Sequence, residues 1–314
     1  MIAVDYVRKR DIAFSSDTVS YAVECLDWQA AAVMRPGWEL LASRALEPNI
    51  YMEAAFALTA AEHLVEEAKP DFLFVSANIG NGVDIRLIGI FPFIRPSAPD
   101  RFVSGWLPKQ AALGTPLLDR EYGAAALDQA LNWIQARYPN VAGICWRLLE
   151  RHGPVASRIV EWANFKEMAV HCFDLGARAK LLIGTDVETM LRRIMSRKHR
   201  KYLHLGGRRL KALGVLTYNR HSEPEEMHQA IECFLALEAS GWKGRRGTAL
   251  QSRQASDAFA RAMLKEQTAL GKCYIDTLAI DGKPLAMGIA LVTGHIAFLW
   301  KIAYDEAYAD YSPG

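Results

Sequence analysis

Apolar positions fall into two rhythms along the chain. In the first half, Trp38 to Ala45 and Tyr51 to Ala68 space their apolar residues as short helices, punctuated by Pro36-Gly37 and Pro48-Asn49. Asp71 to Ala77, Ile85 to Ile94 and Arg101 to Trp106 then read as strands, with a turn at Gly80-Asn81-Gly82 between the first two. Tyr122 to Arg137 predicts a helix, Val141 to Trp146 a strand, Val155 to Ala163 a helix and Met168 to Phe173 a last strand. The first 35 residues read as a short strand or arm followed by a weakly amphipathic stretch.

The second half repeats the theme. Asp186 to Lys211 reads as helix, with Gly206-Gly207 as the expected bend, and Val215 to Tyr218 as strand. Ser222 opens a helix at capping-box spacing from Glu225. Met227, Ala230, Ile231, Phe234 and Leu235 then form one apolar face at i, i+3, i+4, i+7, i+8. Arg253 to Leu270 is a further helix stopped by Gly271. Three strands follow: Cys273 to Ile280, Pro284 to Val292 and Ile296 to Tyr304, turned by Asp281-Gly282 and Thr293-Gly294. Both halves thus run helices and then a largely antiparallel meander, which predicts an α/β (α+β) chain of two units, residues 1–184 and 185–314. The chain closes on Tyr311-Ser312-Pro313-Gly314 directly after an apolar strand, and the expectation is that the second unit is truncated there.

Composition narrows the partners. The 314 residues are 51% apolar and 23% charged, with 37 Lys and Arg against 35 Asp and Glu. That is ordinary globular composition without a global field for nucleic acid or membrane. Local charge is another matter: Arg192 to Arg220 holds ten Lys or Arg and no acid, leaving a net −8 elsewhere. Such a stretch suits tRNA, an anionic polysaccharide precursor or a lipid headgroup, or a solvated inter-domain helix pairing with the acidic remainder; only Tyr202 interleaves it, so base stacking is not indicated. No apolar run of 18 residues predicts a membrane span, and no signal peptide is visible. Cys25, Cys145, Cys172, Cys233 and Cys273 are scattered, which predicts reduced core thiols in a cytoplasmic protein. No metal-ligand spacing, dinucleotide fingerprint, phosphate loop or nucleophile elbow occurs.

The segment Phe234 to Gly314 carries two more specific strings: Glu238 leading into GWKG-x-x-GTA, and the closing KIAYDExYAxxSPG. Together, with the Asp-Gly hairpin between them, they resemble the CelD/BcsL-type acetyltransferases of the GNAT superfamily, relatives of the FemAB peptidyltransferases. SRKHRKYLHLGGRRLKALG and WELLASRALEPNIYMEAAF extend the likeness more weakly upstream. The resemblance implies two tandem GNAT-like units and N-acyl transfer, with acetyl-CoA or another acyl-CoA as co-substrate and no metal. It also implies an acceptor amine on a small molecule or saccharide, in exopolysaccharide or cell-envelope biosynthesis. A FemAB-like enzyme would use aminoacyl-tRNA instead, and a non-catalytic subunit of polysaccharide assembly would keep the fold alone.

Acyl transfer needs a proton acceptor for the amine, a grip on the donor's diphosphate and a donor to the developing oxyanion. Asp305 is the candidate base, which requires burial to raise its pKa, and Tyr304 the candidate proton source for the leaving thiolate. Glu238, Trp242, Lys243 and Lys301 are expected to bind substrate. Glycines flank the loop tip at 241 and 244, and Arg245 and Arg246 read as solubilising charges. By resemblance, Ser312, Pro313 and Gly314 form the strand-to-helix corner that would hold the coenzyme diphosphate on free backbone N–H groups.

Overall fold

The computed structural model describes residues 19–64, 68–79, 84–97, 101–173, 177–184 and 186–313. They form two compact units. The first takes the described residues up to Val170 with 258–267 and 292–297; the second takes the remainder from His171 onward. Residues 1–18 and the Gly80-Asn81-Gly82 turn lie outside the described residues, while the rest of the first 35 forms a strand, Ser20–Asp27, and a 3-10 turn, Ala30–Met34.

In the first unit, β1 (Ser20–Asp27), β2 (Asp71–Ile79), β3 (Asp84–Ile94) and β4 (Phe102–Gly105) pair antiparallel in that order, and β5 (Leu117–Leu118) pairs with β3. Helix α3 (Gly123–Arg137) leads to β6 (Gly143–Cys145), which runs parallel to β4, Val103 opposite Ile144. Parallel neighbours need such a crossover. Between β1 and β2 come α1 (Arg35–Ser43) and α2 (Ala54–His63), and α4 (Pro154–Phe165) follows β6. Every residue of α2 from Ala54 to Ala61 is buried. Its small side chains make a helix that is apolar all round and can be enclosed. Trp38 of α1 is fully buried against Phe72 and Phe74 of β2, with ring centroids 5.1 and 5.5 Å away. Its indole N–H donates to the Met52 carbonyl at 2.8 Å, so the burial strands no polar atom. Asp119 is buried with the Arg44 guanidinium on it, and also accepts from the amides of Glu121 and Tyr122.

The second unit holds α5 (Val187–Ile194), α6 (Arg197–Lys211), β7 (Leu216–His221), α7 (Pro224–Ser240), α8 (Trp242–Arg245) and the ends of α9 (Gln254–Ala269). It also holds β8 (Cys273–Ile280) and most of β9 (Lys283–Thr293) and β10 (Ile296–Tyr304). The sheet order is β10-β9-β8-β7. The apolar face of α7 is buried as its spacing predicts, from Met227 to Leu235, and runs on to Glu238. The Asp-Gly hairpin forms as expected: Asp281 and Gly282 have φ of +47° and +79°, and the Asp281 carboxylate accepts from the Val215 amide at 2.8 Å.

Four expectations change. Asp186 to Lys211 is two helices, divided at Ser196, whose hydroxyl caps α6 by accepting from the His199 amide at 3.3 Å. Gly206-Gly207 stays inside α6: a Cβ on Gly206 would lie 2.9 Å from the Tyr311 carbonyl oxygen, so this glycine serves close packing rather than a bend. The cap of α7 is Glu223, with Pro224 at its first position, rather than Ser222. Met168 to Phe173 is not a strand. Two thiols also depart from the core reading, since Cys145 and Cys172 are exposed; burial raises Cys273 to a pKa of about 12.

Candidate functional site

The last turn of α7 starts the site. Its apolar stripe carries Glu238 inward, where the carboxylate accepts from the Lys243 ammonium at 2.9 Å and from the Leu250 amide at 2.8 Å. Lys243 also donates to the Ile302 carbonyl on β10 at 2.7 Å. A Cβ on Gly244 would fall 1.7 Å from the Ala239 carbonyl oxygen, so only glycine lets α8 fold back on the end of α7. Thr248 closes the loop through its amide and hydroxyl, both donating to the Lys243 carbonyl at 2.8 and 3.2 Å. The Glu238-to-GTA string is thus a bonded frame that ties a helix end, a loop and a strand together.

Glu306, just past β10, adds the outer brace. It accepts from the Trp242 amide at 2.7 Å and from Arg245 at 2.6 Å, and this pairing holds its carboxyl below the ordinary range. Arg245, read from the sequence as a solubilising charge, is therefore a structural partner. Trp242 is 41% exposed, with the Arg246 guanidinium 5.3 Å from its ring centre.

Lys301 differs from its neighbours. It is half-buried on β10, its ammonium 5.3 Å from the Trp300 ring centre, and no hydrogen-bond acceptor meets it among the described residues. Burial pushes its pKa below the ordinary lysine range. Glu238 opposes that shift, and Lys243 adds to it.

Asp305 lacks the raised pKa expected of it from the sequence. Its carboxylate accepts from Lys283 at 2.8 Å and from the Ala307 amide at 3.0 Å, and the lysine bond lowers its pKa rather than raising it. Tyr304 is half-buried at the end of β10. Beyond it, Glu306–Tyr311 is a 3-10 turn whose start is capped by Asp305 and whose end is Ser312 in the left-handed region, φ +50°. The described residues thus leave this turn through a left-handed Ser312 into Pro313. The Ser312 hydroxyl has no partner among the described residues, while Gly314 lies outside them.

Glu238, Trp242, Lys243 and Lys301 thus share one neighbourhood at the α7–β10 junction. Asp305 and Ser312 belong to the turn that follows. The sequence reading missed Glu306 as the brace and Lys283 as the partner of Asp305. It also counted Arg220 in the basic stretch without naming the acid it pairs with. In the sheet Arg220 stands opposite Asp276 and binds it with two bonds, 2.7 and 2.9 Å, while covering the Tyr274 ring. Aligning the β7 and β8 patterns in register would have exposed that pair. No group of His, Cys, Asp and Glu among the described residues could hold a metal ion.

No curated protein matches this chain. A crystal structure of a conserved protein of unknown function from Bacteroides thetaiotaomicron VPI-5482 is similar over 88% of this chain and 79% of that one, at 12% identity and a TM-score of 0.45. A likeness that slight carries no argument. Residues 197–314, from α6 through the turn after β10, match the family model described as an acetyltransferase (GNAT) domain.

Proposed function

We propose that the protein is an N-acyltransferase that moves an acetyl or other acyl group from acyl-CoA to an amine. The match of residues 197–314 to an acetyltransferase domain carries the reading. The finer kinship, to the CelD/BcsL type and through it to FemAB relatives, rests on the Glu238-to-GTA and KIAYDExYAxxSPG strings. With it comes an acceptor amine on a saccharide or small envelope precursor, handled in the cytoplasm where acyl-CoA is made.

The amine nitrogen attacks the thioester carbonyl carbon directly. The carbonyl electrons shift to oxygen, the C–S bond breaks as they return, and coenzyme A leaves as a thiolate. The attacking nitrogen's proton passes to Asp305 through water, and Tyr304 protonates the thiolate. No covalent enzyme intermediate is needed. Lys301, a cation that meets no hydrogen-bond acceptor among the described residues, stabilises the oxyanion, and Trp242 walls the acceptor. Glu238 and Lys243 hold that wall in place. Ser312 and Pro313 are assigned to the donor's diphosphate, supported by the free hydroxyl of Ser312. Because Asp305 is held below the usual carboxylate range, it stays ionised at mildly acidic pH, and Lys283 must yield for it to take a proton.

Thermal unfolding with and without acetyl-CoA, coupled to release of free thiol in the presence of an amine panel, tests the proposal. A binder raises the midpoint with ligand concentration by mass action. Absence of any shift at millimolar coenzyme, with no thiol release, overturns it.

A further inference from the structure

Helices α5 and α6 stand apart from the rest of the second unit in how they spend their side chains. Val187, Met190, Leu191 and Ile194 recur at i, i+3, i+4 and i+7, one face of α5, and none of them is buried; Val187 is 66% and Ile194 46% exposed. On α6 the line Leu203, Gly206, Leu210 changes character along its length. Leu210 is buried among Ile280 and Leu285, with Tyr308 and Tyr311 packed on that cluster, and Gly206 abuts the Tyr311 backbone. One turn nearer the N-terminus Leu203 is 51% exposed, beside Tyr202 at 58%. Among the described residues, the cover given by the 3-10 turn reaches only the C-terminal half of the helix.

The same 26 residues, 186–211, hold nine Lys or Arg and two acids. One of those acids, Glu188, pairs with Arg192, and the other, Asp186, is the α5 cap. Among the described residues no carboxylate meets Arg193, Arg197 or Lys201. A solvated basic helix needs no apolar face, and a helix meant for a protein core would not carry so much unpaired charge. Apolar side chains on one side and lysine and arginine on the other are what a helix lying in an anionic bilayer interface requires. A nucleic-acid backbone would be met by the charge alone and would leave Val187, Ile194 and Leu203 in water.

We infer that α5 and the N-terminal half of α6 form a peripheral membrane-docking surface, which seats Val187, Ile194 and Leu203 among acyl chains and sets its lysines and arginines against anionic headgroups. The inference is independent of the acyl-transfer reading, since its readout is vesicle binding and needs no turnover.

The experiment is flotation of the full chain with vesicles of phosphatidylcholine, with and without about one-third phosphatidylglycerol. At about 0.1 M salt the protein is expected to float with the anionic vesicles, and to be released as salt screens the headgroups. A triple variant, Arg193→Glu, Arg197→Glu and Lys201→Glu, is expected to weaken partitioning by about a hundredfold or more. The pair Val187→Ser and Ile194→Ser is expected to weaken it by about tenfold with the charges intact. Far-UV circular dichroism establishes that the variants fold, and the salt titration of the unaltered chain stands without them. Lack of flotation with anionic vesicles at low salt overturns the inference. So does binding that Val187→Ser and Ile194→Ser leave unchanged, or retention of bulk tRNA in place of vesicles.

Discussion

The chain twice runs through strand, helices and three further strands, yet the two passes commit their polar side chains differently. In the first unit the buried charges serve the fold. Asp71 is covered by the Arg95 guanidinium, Asp119 holds Arg44 and two amides, and Glu47 meets the Thr115 hydroxyl and the Val155 amide at 3.3 Å each. After the third strand that unit continues through α3 to a parallel strand, β6. In the second unit the charges gather at the end of β10. There Glu238, Lys243 and Glu306 build a frame, and Lys301 is left without an acceptor among the described residues. A repeated architecture therefore marks where a site could lie, and the two copies differ in their polar side chains: paired ions inside a core confer geometry, whereas a half-buried lysine with no hydrogen-bond acceptor among the described residues is a cost that function can explain.

The largest effect expected from breaking this contrast is on the first unit. Trp38→Ala removes a fully buried indole and orphans the Met52 carbonyl, and should cost about 4 kcal/mol, read by urea unfolding. Because its contacts are to Phe72 and Phe74, the change should act on stability and leave any acyl-CoA chemistry of the remaining folded protein intact. Next comes Glu238→Ala, at about 3 kcal/mol. It strips the Leu250 amide of its acceptor and leaves the part-buried Lys243 ammonium with the Ile302 carbonyl but no carboxylate. Glu238→Gln keeps an oxygen for Leu250 and should recover about half of that loss. If both variants unfold at the same denaturant concentration as the parent, the frame is not what holds the loop.

Much of this was legible in the residues. The α7 stripe, the Asp281-Gly282 hairpin and the strands of both meanders follow from periodicity and turn chemistry, which are local. The grouping of Glu238, Trp242 and Lys243 was visible because a helix end and a glycine-flanked tip put them within one turn of chain. What stayed hidden was long-range. Lys283 reaches Asp305 across 22 positions, and Glu306 braces Trp242 across 64. Pairings at that separation leave no periodic trace, so the sign of the Asp305 shift could not be read: burial would have raised its pKa, and an unseen lysine lowers it. The Ser196 break was legible in principle, since serine is a preferred cap, but the two glycines downstream drew attention to a bend that close packing against Tyr311 makes unnecessary.

Asp305→Asn sharpens the comparison at the site itself. The proposed role predicts loss of acyl transfer by about a hundredfold or more, while stability changes little because the carboxylate is near the surface. The parent's Asp305–Lys283 contact carries a pH signature. A carboxyl whose folded pKa is depressed contributes stability that is present above its unfolded pKa and is lost as pH falls through the folded value. The variant should therefore lack one acid-labile component of stability between those two points. Equal transfer rates in Asp305→Asn and the parent would remove Asp305 from the mechanism.

The smallest expected effect, and the one with the most informative sign, belongs to Lys301→Met. The folded protein binds the Lys301 proton less well than the unfolded chain does, since burial and Lys243 both disfavour the ammonium. Between the lowered folded pKa and the ordinary value of 10.5 the unfolded chain carries the extra proton, so stability rises with pH through that window. The cost is full below that window and is still present at neutral pH, which lies below the ordinary lysine value. Methionine has nearly the same reach and no charge, so the variant should be at least as stable as the parent at neutral pH, and its advantage should shrink as the solution becomes alkaline. A residue retained for structure gives the opposite result, a loss of stability on removal. If Lys301→Met is stabilised while thiol release falls, the lysine is present at the expense of the fold, as expected of a group that meets the reacting oxygen. If it is destabilised and transfer is unchanged, the second unit's odd cation is packing, and the contrast between the two units narrows to their helices.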